Sequence, residues 1–360
     1  MNMSEKTKAH VDSCRFCWMC HHICPIGNAT GQERSTPRGR ALGISLVNRE
    51  AIDLSEIMDN IYECGGCGGC VRECVTGWDP VMFSKETKLA AALEGKLPPY
   101  IMKLVENALS TGNAYGKTEL CPTLTEAIAA HAEKTDVLLY LGVDARYAAC
   151  TQAVKAIRVL EKAGVAFTVL ADEKPSGAQL DFLIGAANET REMMTACASQ
   201  LDAYKTVILY DPTDAKLLKQ TAKVYGVETK ASLVTFTSFL ASLVRDGKLA
   251  GKKGDKVVVY QDPFQLSRDL EETEEAREVI AAFATLHEMH LNRAETVWAG
   301  NTLMAEYMPE VMRLVAERRI FNAKSLGENV IVTASPSEYT SLKRAAKDVE
   351  ILSLEDLILA

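Results

Sequence analysis

Eight of the chain's eleven cysteines fall into two runs with one spacing: Cys14, Cys17, Cys20 and Cys24, followed by Pro25, and Cys64, Cys67, Cys70 and Cys74. Both read C-x2-C-x2-C-x3-C, a run that ligates [4Fe–4S] clusters in bacterial electron carriers. A structural zinc site more often shows two separated pairs, whereas each run here offers three thiols in seven residues and then a fourth. Two four-cysteine zinc sites and disulfides are the competing readings. Residues 1–13 are polar and lack the apolar core of a secretory leader. A chain that is not exported keeps its thiols reduced, so a cytoplasmic protein with two cubane clusters is expected.

Three cysteines at i, i+3 and i+6 wrap one face of a cube, and the fourth usually reaches the other cluster. Cys14, Cys17, Cys20 and Cys74 are therefore expected to hold one [4Fe–4S] cluster, and Cys64, Cys67, Cys70 and Cys24 the other. Gly65, Gly66, Gly68 and Gly69 fill the gaps of the second run, letting the backbone and its N–H groups approach the sulfurs. Val75, not proline, follows the last cysteine of that run.

Between the runs lie 39 residues whose apolar spacing of three and four predicts helices over 38–47 and 54–62. Similar patterns cover 85–93, 100–109 and 124–132. Residues 1–95 thus read as an α-helical two-cluster ferredoxin domain, and 96–135, punctuated by Pro98-Pro99 and Cys121-Pro122, as a helical linker.

After residue 135 an internal repeat begins. Strands are expected at 137–141, 167–170 and 206–210 in the first half, with a helix at 151–162. The second half predicts strands at 256–260, 286–291 and 329–333, with a helix at 274–283. The closing turns match as Asp211-Pro212-Thr213-Asp214 and Ser335-Pro336-Ser337-Glu338. Alternating strands and helices predict two repeated Rossmann-like modules, 136–250 and 251–360, with largely parallel sheets. The net charge of −8 and the absence of a basic patch exclude nucleic acid as a partner. The longest mostly apolar stretch, 231–244, is too short to span a bilayer and reads as a buried helix.

The chain resembles the iron–sulfur subunits of glycolate oxidase, anaerobic glycerol-3-phosphate dehydrogenase and heterodisulfide reductase. The resemblance rests on Cys24-Pro25, the phrase Ser35-Thr36-Pro37-Arg38-Gly39-Arg40, the second run, and the two C-terminal modules. In that family each cysteine-rich, CCG-like module carries a single Cys, then Cys-Cys-Gly, then Cys-Pro-x-Cys. Here the corresponding positions hold Val143, Pro175, Ser176, Asp211 and Asp214, then Phe264, Trp298, Ala299, Ser335 and Glu338. Gly142, Gly177, Gly300, Pro212 and Pro336 keep the frame, and 31 and 33 residues separate Val143 from Pro175 and Phe264 from Trp298. Iron–sulfur clusters need soft thiolates, which none of the ten residues supplies. Asp211, Asp214, Ser335 and Glu338 are expected to cap helix N-termini, with a hard cation or polar ligand as the competing reading.

Cys150 and Cys197 read as small buried apolar residues and Cys121 as the thiol most open to a role. His21 and His22 read as surface residues or neighbours of the ligands. Trp18 and Trp78 are expected to shield the clusters from solvent. The resemblance implies an electron-transfer subunit in an anaerobic oxidoreductase complex. Its FAD would sit on a flavoprotein partner, a further redox carrier would complete the chain, and partners could bring it to a membrane. A scaffolding subunit with structural clusters and a catalytic disulfide-reducing subunit are the alternatives.

Overall fold

The structure is a computed structural model that describes residues 3–15, 17–251 and 254–360. Its first part is helical. Proline opens helix after helix, at Pro25–Thr30, Pro37–Asn48, Pro80–Leu93, Pro99–Thr111 and Pro122–Ala130. The ring's fixed φ suits the first helical position, where its missing N–H is not needed. Ile44, Leu54, Met58, Ile61, Tyr62 and Phe83 form the core of this region. That core continues into the second part through Leu180, Leu183 and Ile184 of the helix Ala178–Ile184. Tyr62 seals the seam, donating from its hydroxyl to the Leu183 carbonyl at 2.6 Å.

The second part is α/β with two parallel sheets. In the first, β1 (Val137–Tyr140), β2 (Thr206–Leu209) and β3 (Ser232–Thr235) lie in that order. The second sheet holds β4 (Val257–Gln261), β5 (Thr285–His287), β6 (Val330–Thr333) and β7 (Glu350–Ser353), in the order β5-β4-β6-β7. Leu138 bridges Thr168 on the free side of β1, where β5 flanks β4 in the other sheet. Strands β1, β2, β4 and β6 are short apolar runs buried on both faces, as parallel strands between helices must be. One core joins the sheets, with Leu139 and Ile208 on one side and Val258 and Val332 on the other. The last helix, Leu354–Leu359, packs back on Cys150–Lys162, and Lys155 meets Asp356 at 2.6 Å.

Four local expectations change. The strand expected at 286–291 is the shorter Thr285–His287. Residues 167–170 form the single bridge at Thr168 rather than a strand. The stretch 231–244 is not one helix: β3 ends at Thr235, whose side chain caps the helix Phe236–Arg245 by accepting from the Ser238 N–H. Cys150 is not a buried apolar residue, because it is disulfide-bonded to Cys121, Cα to Cα 6.5 Å. The pairing fixes the end of the helical linker to the first α/β unit. Cys197 is fully buried. No helix of the described residues is long and apolar enough to cross a membrane.

Candidate metal centres

The two cysteine runs form two similar loops. In the first, Cys17 and Cys20 flank Trp18 at φ 69°, and the helix Met19–Ile23 follows. In the second, Cys67 and Cys70 flank Gly68 at φ 70°, and the helix Gly69–Arg72 follows. The left-handed residue turns the chain so that three sulfurs face one side. Cys24 then caps the helix Pro25–Thr30, its sulfur accepting the Gly27 N–H at 3.4 Å, which explains the Cys-Pro pair. Cys74 is followed by a turn instead, with the Gly77 N–H donating to its carbonyl at 3.2 Å. Val75 therefore needs no proline ring.

Two cavities result. Cys14, Cys17, Cys20 and Cys74 line the first. Cys24, Cys64, Cys67 and Cys70 line the second. Each thus takes three thiols from one run and one from the other, and none of the eight is disulfide-bonded. Burial pushes the Cys20 and Cys67 thiols up to about 11 and Cys70 well above its ordinary value, with like-charged neighbours adding to Cys20 and Cys70. Cys74 is only partly covered, and the Thr76 hydroxyl and the N–H groups of Thr76, Trp78 and Gly77 outweigh the effect of that cover and hold its thiol low. Buried thiols packed together keep their protons unless a metal supplies compensating charge, so these donors fit a soft, multiply charged iron–sulfur group. Among the described residues no three His, Cys, Asp or Glu side chains are arranged to share one metal ion. A four-cysteine zinc site requires such convergence, with each sulfur about 2.3 Å from the ion.

The phrase Ser35–Arg40 serves both cavities. Thr36 caps the helix Pro37–Asn48. Gly39 is forced, since a Cβ there would lie 2.6 Å from the carbonyl oxygens of Glu33 and Arg34. The guanidinium of Arg38 stacks on Trp18 at 4.3 Å and lines the first cavity. Arg40, two residues on, is buried at the second, donating to the carbonyls of Ser35 at 2.8 Å and Asn60 at 3.1 Å. One short segment places a cation beside each set of thiols. The sequence marks these residues as a phrase but not the role they share.

The sets differ in exposure. Trp18 is 51 % and Val75 86 % exposed at the rim of the first, while Trp78 is buried in its wall. Trp78 shields as expected and Trp18 does so only in part. His21 lies 3.5 Å from Glu33 and His22 is exposed, neither among the lining residues. The second set is covered by the C-terminal part. Trp298 lies on Gly65 so closely that a Cβ there would be 2.4 Å from the ring. Phe264 and Trp298 pack with Cys24 and Cys67. Arg268 donates to the Cys67 carbonyl and to those of Ala294 at 2.9 Å and Thr296 at 2.6 Å. No spacing or motif marks Arg268 in the sequence.

The ten positions that lack sulfur separate into two fates. Val143, Pro175, Ser176, Asp211 and Asp214 all line one cavity, of about 160 Å3, which extends to Cys64, Gly65 and Gly66. Of the second five, Trp298 and Ala299 are packed solid. Asp211 and Ser335 cap helices as expected, accepting the N–H groups of Thr213 and Glu338. Asp214 and Glu338 do not. Asp214 instead accepts from the Ser176 hydroxyl. Glu338 is buried, and burial pushes its carboxyl up to about 8 against the pull of Gln261 and the Arg319 guanidinium.

Residues 10–78 match the family of the 4Fe-4S dicluster domain, so the chain is an iron–sulfur protein with a ferredoxin-type domain. Along nearly its whole length it is also similar to the D-type subunits of dihydromethanophenazine:CoB–CoM heterodisulfide reductase. The relative from Methanosarcina acetivorans is 23 % identical, covering 93 % of this chain and 89 % of its own. The one from Methanosarcina mazei is 22 % identical, covering 99 % and 94 %. These likenesses support an iron–sulfur subunit of heterodisulfide reductase type.

Proposed function

We propose that this chain is an electron-transfer subunit that holds two [4Fe–4S] clusters, on Cys14, Cys17, Cys20 and Cys74 and on Cys64, Cys67, Cys70 and Cys24. The observation that carries the reading is the crossed lining of the two cavities. The clusters supply one-electron steps, which suits a relay that divides an electron pair from a two-electron donor. The protein's own residues do the rest. Arg38 and Arg40 place positive charge beside the thiols, and Trp78, Trp298 and Phe264 keep water from them. Both charge and solvent exclusion tune cluster potentials. The half-exposed first set, rimmed by Trp18 and Val75, is where a protein partner would approach.

The partners in this reading are a flavoprotein subunit that carries FAD and a second redox carrier, in a cytoplasmic complex. The C-terminal part is a pair of degenerate Rossmann-like modules, divided near residue 250, that contributes no cluster ligands. Heterodisulfide reduction is the activity for which the relatives are named. It is not assigned to this chain, because all ten module positions lack sulfur.

Anaerobic purification with native partners tests the proposal. About eight iron atoms per chain are expected, with two reducible signals in electron paramagnetic resonance and a co-purifying flavoprotein. Eight irons that neither dithionite nor the partner reduces would instead mark a scaffold with structural clusters.

A further inference from the structure

The cavity of about 160 Å3 between the second thiol set and the first α/β unit has the size of a single aromatic ring. Its walls are mostly carbon, from Val81, Phe182, Leu217, Phe264 and Leu303. Two π-helical turns, Leu217–Thr221 and Gln265–Asp269, border it. Such turns are rare and frequent at functional sites.

Three buried polar atoms in its lining lack a protein partner: Ser84 Oγ, Asp211 Oδ2 and Gln265 Oε1. Asp211 Oδ1 accepts the Thr213 N–H at 2.8 Å, but Oδ2 has none, although the residue is only 1 % exposed. Gln265 donates from Nε2 to Thr213 Oγ1 at 3.2 Å, but its Oε1 has none, at 8 % exposure. Asp211 and Gln265 thus flank Thr213, each with one oxygen to spare. Ser84 adds a third free oxygen, while the acidic and basic groups around them are engaged. Asp144 accepts from Tyr115 at 2.7 Å and Gln179 at 2.8 Å, and Asp214 accepts from Ser176. Lys85 pairs with Asp181 at 2.6 Å, Lys216 pairs with Asp269 at 2.7 Å, and Lys88 donates to the Phe182 carbonyl at 2.9 Å. Buried polar atoms are rarely left without partners, so the spare capacity points to a bound group.

We propose that this cavity binds a small single-ring phenol or hydroquinone, with hydroxyl groups on Asp211 and Gln265 and the ring among the apolar walls. A hydroxyl both donates and accepts, so it satisfies Asp211 whether ionised or protonated, whereas an ammonium satisfies only the ionised form. Burial raises the Asp211 carboxyl to about 7, which favours the hydroxyl. The proposal goes beyond the relay and stands or falls separately from it, because ligand occupancy can be read without electron transfer.

The test is titration calorimetry of the full-length holoprotein with hydroquinone, set against benzene and benzylamine. One saturable site for hydroquinone is expected, at least about tenfold tighter than for benzene. Gln265→Met removes one spare oxygen and should weaken hydroquinone about tenfold without changing benzene. Asp211→Ala removes the other and should act similarly if Gln265→Met fails to fold. Val143→Phe should fill the cavity and abolish binding of all three. No saturable hydroquinone binding, equal affinity for benzene, tighter benzylamine, or folded Asp211 and Gln265 variants with unchanged affinity would each overturn the assignment, the last leaving water as the occupant.

Discussion

Trp18 and Gly68 share one backbone conformation, φ 69° and ψ −1° in the first, φ 70° and ψ 0° in the second. Each directly follows the second cysteine of its run. The loop demands a left-handed residue there, which costs a side chain about 1–2 kcal/mol and glycine almost nothing. The second run meets the demand with Gly68, whereas the first accepts the strain and gains an indole stacked on Arg38.

The two positions should therefore respond in opposite ways. Gly68→Ala is expected to destabilise the protein by about 1–2 kcal/mol. Trp18→Gly should leave the thermal midpoint nearly unchanged, because relief of strain offsets the lost stacking. It should, however, speed iron loss in air by opening the first cavity. Calorimetric scans and the decay of the cluster absorbance read the two effects separately.

Gly65 and Trp298 should behave as one unit. Gly65→Ala places a methyl 2.4 Å from the indole and is expected to cost about 1–3 kcal/mol. Trp298→Ala should cost about 3–5 kcal/mol by emptying a fully buried site. The double variant should be more stable than the sum of the two costs predicts, since the methyl then fills vacated space. Strict additivity in thermal unfolding would mean that the contact does not govern this seam.

The crossed thiols make an uncrossed result easy to recognise. Cys24→Ser should disturb the cluster built mainly on the second run, and Cys74→Ser the one built on the first. Each variant should lose up to about half of the iron, and each should spare a different resonance signal. If Cys24→Ser instead spared the second run's signal, the ligand sets would be refuted.

Stability should fall with rising pH through Glu338. Its carboxyl lies near 8 in the folded protein and at the ordinary 4.5 when unfolded, because burial disfavours the charge. The folded state therefore binds the extra proton between these values. Its stabilising contribution is full below about 4.5 and is lost as pH rises through 8. Glu338→Gln should flatten that part of the profile, visible as a smaller drop in thermal midpoint between pH 5 and pH 8 than in the parent. An unchanged slope would show that Glu338 is ionised when folded.

Much of the fold is legible in the sequence because its signals are local. The cysteine spacing locates both thiol sets, and short apolar runs locate β1, β2, β4 and β6 within a residue or so. Strand β3 escapes such a reading because Thr235 ends the strand and caps the next helix at once, leaving no turn residue between them. The disulfide escapes it because Cys121 and Cys150 stand 29 positions apart in the sequence and no periodicity links them. Arg268 and the cavity around Asp211 are illegible for a related reason. They depend on how distant segments meet, and that meeting is set by a shared core rather than by any one stretch of chain.

The packing of Trp298 also limits what can replace it. An indole wedged onto a glycine of the neighbouring loop cannot be exchanged for a small thiol without opening a hole beside the second set. A cysteine at position 298 therefore comes at the expense of a less stable protein. Val143, Pro175, Ser176, Asp211 and Asp214 border a cavity instead, together with Phe264. The indole is thus bound into the architecture of the seam, whereas the cavity wall keeps room beside it.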